Sequence, residues 1–111
     1  MNPVHYVALF FGGVFLFNAI PHVCAGVMGR SFQSPFATPR GEGLSSSTVN
    51  VLWGFLNLAV AWWLLVRVSD LDLREWDRVL VAGVGGLLIS LFAARHFGRF
   101  HGGDLTQAAP K

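Results

Sequence analysis

The sequence predicts an all-α integral membrane protein with three transmembrane helices, and three observations carry that prediction. Only 13% of the 111 residues are charged and 53% are hydrophobic, against about 25% charged in an ordinary globular domain. Asp, Glu, Lys and Arg are absent from Met1–Gly29, Gly43–Val66 and Val79–Ala94, runs of 29, 24 and 16 residues. A water-soluble domain of this size has too little interior to bury three such runs, whereas about 20 apolar residues at 1.5 Å rise cross the hydrocarbon core of a bilayer. With no internal repeat and no linker, residues 1–111 read as a single membrane domain.

The first span is expected over Val4–Val27. Pro21 lies inside it and has no N–H to offer the carbonyl of Phe17, which predicts a kink there. No Lys or Arg precedes Arg30, and the apolar run is about twice the length of a signal-peptide core, so this segment is expected to stay in the mature chain. The second span covers Thr48–Val66. The third is expected over Leu73–Phe97, because Asp72 followed by Glu75 reads as a helix start. Arg74 and Arg78 would then snorkel to one surface and Arg95 to the other; a re-entrant or surface helix is the competing reading of this short charge-free core.

The first loop, Gly29–Ser47, is long for a link between packed helices. Phe32 and Phe36 favour a re-entrant or docked loop over a disordered one. Gly102–Lys111 opens with two glycines and continues with small and polar residues, which predicts a disordered tail.

With three crossings, Arg30, Arg40, Arg95, Arg99 and Lys111 share one side, against Arg67, Arg74 and Arg78 on the other. That excess places the first loop and C-terminus in the cytoplasm and the N-terminus outside, as in a bacterial inner membrane. Trp62, Trp63, Trp76 and Tyr6 fall near the outer interface as an aromatic belt.

Each span carries one stripe of small or polar residues: Asn18, His22, Gly26 and Gly29 in the first, Asn50, Gly54, Asn57 and Ala61 in the second, Ala82, Gly86, Ser90 and Ala94 in the third. Spacings of three and four put each set on one helical face, and small residues let helices approach closely in lipid. The stripes are expected to point inward. Asn57 falls near the midplane, Asn18 and Ser90 roughly 4–5 Å toward the first loop, and His22 and Asn50 roughly 9–11 Å that way. Asn18, His22, Asn50, Asn57 and Ser90 therefore form the candidate intramembrane polar site.

Other chemistry is thinner. Arg30 and Arg40, with glycine amides and the serines before the second span, suit an anion such as a lipid phosphate. His22 and His96 end adjacent spans on one side and invite comparison with two axial haem ligands, although no cofactor is predicted. His5 and His101 read as solvent-exposed. Asp70 and Asp72 read as a solvated turn, and Cys24 is a single cysteine with no activating base at helical spacing. The basic balance has no dense cluster, which excludes nucleic acid as the expected partner. The partners expected are membrane lipids and either copies of the chain or a larger complex. The leading function is transport of a small neutral or anionic solute by an oligomer, the alternatives being a non-catalytic accessory or scaffold subunit and a haem- or quinone-binding anchor; no catalytic residues stand out.

Overall fold

The computed structural model describes residues 1–103 and is mostly helical. Helix α1 spans Pro3–Val27, strands β1 and β2 are Phe32–Gln33 and Leu44–Ser45, helix α2 is Ser47–Trp62 continued by a π-helical segment at Trp63–Val68, and helix α3 is Trp76–His101. All three helical segments, with Ser47–Val68 taken as one, are long and apolar enough to cross a membrane.

Local chemistry explains the ends. The Asn2 side chain accepts from the His5 N–H to cap α1, and Ser46 does the same for Val49 at the start of α2. Helix α1 continues through Pro21, so the proline does not end it. The third helix starts three residues later than the sequence suggests. Asp72 Oδ1 accepts from the Arg74 N–H at 3.0 Å and the Asp72 carbonyl accepts from Glu75 at 3.0 Å, so Asp72 closes a separate turn. Glu75, extended at φ −98° and ψ 104°, becomes the residue preceding the helix. At the other end α3 runs on to His101. Gly102 and Gly103, placed by composition in a disordered tail, instead close the helix: Gly102 has φ 83°, and both N–H groups donate to the Gly98 carbonyl. The rest of that tail lies outside the described residues.

The π-helical segment has no signature in the stripe analysis. Its wider turn keeps Leu65 and Ser69 buried in line with Ala61. Ser69 ends it, donating through Oγ to the carbonyls of Leu64 (2.6 Å) and Leu65 (3.2 Å).

Helix α1 is the centre of the fold. It packs against both α2 and α3, which touch each other only marginally. Two consecutive glycines divide the work: a Cβ on Gly12 would lie 2.6 Å from Leu65 Cγ, and one on Gly13 would lie 2.8 Å from the Ala82 carbonyl carbon. The contact is reciprocal, because a Cβ on Gly85 would lie 2.9 Å from the Phe10 carbonyl carbon. On the α2 side, Gly54 faces Val23 and Ala19, and Gly26 faces Ser47 and Val51. Tyr6 Oη donates to Asp77 Oδ2 at 2.8 Å, tying the start of α1 to the start of α3. Trp62, Trp63 and Trp76 are exposed.

The small-residue ridge of α3 is thus used inside the chain, though only in part. Ala82 and Gly86 meet α1, with Gly86 against the Phe17 ring, while Ser90 and Ala94 line an open cleft between α1 and α3.

Gly85→Ala is expected to destabilise the fold by about 1–3 kcal/mol, the usual cost of overpacking a tight contact. Gly83→Ala, where a Cβ meets nothing within 4 Å, should be neutral or stabilising by up to about 1 kcal/mol through helix propensity. Thermal unfolding of the two variants in detergent checks the contrast.

Candidate functional site

Four of the five polar residues singled out from the sequence come together as two pairs bridging α1 and α2. Asn18 Nδ2 donates to Asn57 Oδ1 at 3.0 Å, and Asn57 Nδ2 donates to the Trp53 carbonyl one turn back at 2.8 Å. One turn of α1 further on, His22 Nδ1 meets Asn50 Oδ1 at 2.7 Å. Asn50 and Asn57 are 0% and 1% exposed and His22 is 2% exposed. Ser90 stands apart in the α1–α3 cleft.

The Asn50 side chain has no spare donor. Its Nδ2 donates to three carbonyls, those of Phe32 (3.2 Å), Ser45 (3.1 Å) and Ser46 (3.0 Å), which shares two N–H groups among three acceptors. Its Oδ1 must therefore accept, so His22 carries its proton on Nδ1. One amide joins α1, both strands of the first loop and the N-terminal turn of α2.

The loop itself is a hairpin docked on the helices. Phe32 pairs with Ser45 and Gln33 with Leu44 in antiparallel register, and the Gly41 N–H donates to the Ser34 carbonyl at 2.9 Å. Gln33 and Ser34 are buried. Two histidines of α3 hold its outer side: His96 Nε2 donates to the Gly41 carbonyl at 2.6 Å, and His101 Nε2 donates to Gln33 Oε1 at 2.7 Å. His101, read from sequence as merely solvent-exposed, also stacks on the Phe32 ring, 5.0 Å between centroids and 9° between planes.

An aromatic box completes the arrangement. The His22 ring is edge-on to Phe32, Trp53 and Phe97 at centroid distances of 5.5, 6.3 and 6.2 Å. Nothing in the sequence marks Phe32, Trp53 and Phe97 as partners of His22 beyond the four-residue spacing of Phe97 and His101, which puts those two on one face of α3. Trp53 Nε1 is the one buried side-chain polar atom without a hydrogen-bond partner among the described residues.

The two histidines considered as haem ligands are both engaged by the protein. His22 Nδ1 is bound to Asn50, and His96 is bonded through both ring nitrogens, with Arg99 Nη2 donating to Nδ1 at 3.0 Å. Both rings pack edge-on to Phe97. Among the described residues no group of three or more His, Cys, Asp or Glu side chains converges. Of the two loop arginines considered for an anion site, both are exposed; Arg30 lines a recess beside the end of α1, and Arg40 is not among that recess's lining residues. No protein-family model, curated protein or solved structure matches this chain.

The two interhelical pairs differ in what depends on them. Asn57→Leu removes one bridge, and such bonds average about 0.6 kcal/mol between apolar helices, with a maximum near 1.7. Asn50→Leu leaves the His22 Nδ1–H without its acceptor and removes the side-chain bonds to the Phe32 and Ser45 carbonyls, while the Ser46 carbonyl keeps the backbone N–H of residue 50; a buried unpaired group costs roughly 1–3 kcal/mol. Asn50→Leu is therefore expected to lower the unfolding midpoint in detergent clearly more than Asn57→Leu, measured by circular dichroism.

Proposed function

We propose that this chain is an integral membrane protein acting as a non-catalytic accessory or scaffold subunit, alone in several copies or within a larger membrane complex. The observation that carries the membrane assignment is an inverted distribution of polarity. Buried side chains include His22, Gln33, Ser34, Asn50, Asn57 and Ser69, while Phe11, Leu52, Phe55, Leu87, Leu91 and Phe92 stand exposed. In water that arrangement loses the hydrophobic effect and leaves a large apolar surface uncovered; in hydrocarbon it is the low-energy one, because polar groups must find partners inside the protein.

The accessory role follows from what the polar groups are doing. Asn18, His22, Asn50 and Asn57 hold helices and loop together with their own hydrogen bonds. A polar path through this stripe would have to break those bonds, so solute transport, the leading expectation from sequence, has less support than a scaffold. The outer faces of α2 and α3 are apolar and point away from α1, which suits lateral association with other helices as well as with lipid. The excess of arginines near the first loop supports a cytoplasmic loop and an external N-terminus.

The protein is expected to pellet with membranes, to require detergent for release, and to show a native mass above one chain when extracted into lipid discs. Cys24 is its only cysteine, so Cys24→Ser variants carrying single cysteines at Leu52, Leu87 or Leu91 allow disulfide trapping of neighbours. A strong cross-link at one of these faces and not the others supports lateral assembly. A single-chain mass with uniformly weak cross-linking would overturn the scaffold reading, and a chain that stays monodisperse in a detergent-free supernatant would overturn the membrane assignment.

A further inference from the structure

Two recesses meet beside the first loop. One is the cleft between α1 and α3, about 390 Å³, with walls built largely from Ile20, Pro21, Ala93, Ala94 and Phe97. The other, about 260 Å³, lies beyond the last turn of α1 and is bordered by Cys24, Met28, Arg30 and Ser31. Pro21, Phe32 and His101 line both, so the two adjoin. The cleft alone is within the range of small-molecule sites, about 300–1,000 Å³, and the second recess extends it.

Their chemistry changes along the length. The cleft exposes almost only carbon, with the Ser90 hydroxyl as an exception, while the second recess offers a guanidinium, a hydroxyl and an imidazole. Arg30 forms no ion pair among the described residues, where the single salt bridge joins Arg78 to Asp70. Nor does any described carboxylate line either recess: Glu42 lies on the hairpin, and Asp70, Asp72, Glu75 and Asp77 belong to the turn and start of α3, at the opposite end.

We propose that the two recesses together bind one anionic glycerophospholipid, an acyl chain lying in the α1–α3 cleft and the phosphate held by the Arg30 guanidinium with the Ser31 hydroxyl. The charge pattern selects this occupant. A cationic end with no carboxylate among the described residues that line it calls for an anion, a guanidinium makes strong charge-assisted bonds to phosphate oxygens, and the adjoining apolar trough calls for a hydrocarbon chain on the same molecule. The small side chains Ala93 and Ala94 leave the groove open where larger residues would close it. This inference rests on the membrane assignment above and not on the scaffold role.

The test uses the full chain in discs of phosphatidylcholine containing a minor share of phosphatidylglycerol. Native mass measurement is expected to find one retained phosphatidylglycerol, enriched several-fold over its share of the bilayer. Arg30→Gln should return the retained lipid to the bulk ratio, Ala94→Trp should abolish retention by filling the trough, and Arg40→Gln should change nothing. Cys24 provides an independent readout: its alkylation should be several-fold slower in discs containing phosphatidylglycerol than in phosphatidylcholine alone. Retained lipid in the bulk ratio, or enrichment that survives Arg30→Gln, overturns the proposal. So does inorganic phosphate protecting Cys24 as well as the lipid does, which would assign the site to a free anion. A lipid-free dimer broken by Ala94→Trp would place a second copy in the cleft instead. Arg30 is exposed, and its variant decides the matter alone if Ala94→Trp does not fold. A chain that fractionates with membranes yet shows no enrichment refutes the lipid site and leaves the membrane assignment standing.

Discussion

The side chain of Asn50 is the constraint on which the arrangement turns. From one position on α2 it fixes the tautomer of His22 on α1, accepts no competing donor, and caps carbonyls on both strands of the first loop and on the residue before α2. Each partner is a group that must be bonded somewhere once water is excluded. The register of α2 against α1, the seat of the hairpin and the position of Phe32 over the His22 ring are set by the same amide.

Around that junction the helices are held by proximity. Glycines at 12, 13, 26, 54, 85 and 86 bring backbones or neighbouring side chains to distances that a Cβ would not allow. On the membrane assignment proposed above, where burying leucine gains little because lipid is equally apolar, such close packing and a few interhelical hydrogen bonds would supply the association energy. This accounts for bulky residues on the outside and for the amides and imidazole on the inside. It also explains why the histidines of α3 matter to the fold: His96 and His101 provide the polar attachment between α3 and a loop that otherwise belongs to α1 and α2.

Much of this was legible in the sequence for one reason: periodicity reports faces. The charge-free runs located three helices, and spacings of three and four put Asn18 and His22 on the face that meets Asn50 and Asn57. What sequence could not supply were features set by partners distant in the chain. Strands of two residues have no alternation to detect, so the pairing of Phe32 with Ser45 was invisible. Asp72 followed by Glu75 fits a helix start and a free-standing turn equally well, and the structure takes the turn. The ridge at Ala82, Gly86, Ser90 and Ala94 has one spacing throughout, yet its two halves differ because α1 and α3 part company beyond Gly86, leaving the cleft. The π-helical segment at Trp63–Val68 was likewise hidden, since four-residue spacing is compatible with either helix type.

The marginal contact between α2 and α3 bears on how the molecule is made. Neither amide pair nor the bonds from Asn50 to the hairpin draw on any residue of α3, so every one of them can form when synthesis has reached only the end of the second helix. A helical hairpin at that stage holds both interhelical pairs and the bonds of Asn50, while Gln33 and the Gly41 carbonyl still await their α3 partners, His101 and His96. The third helix adds to that pair, held near its two ends by Tyr6 and by the histidines toward its C-terminus, so its polar attachments are separable from those that join the first two.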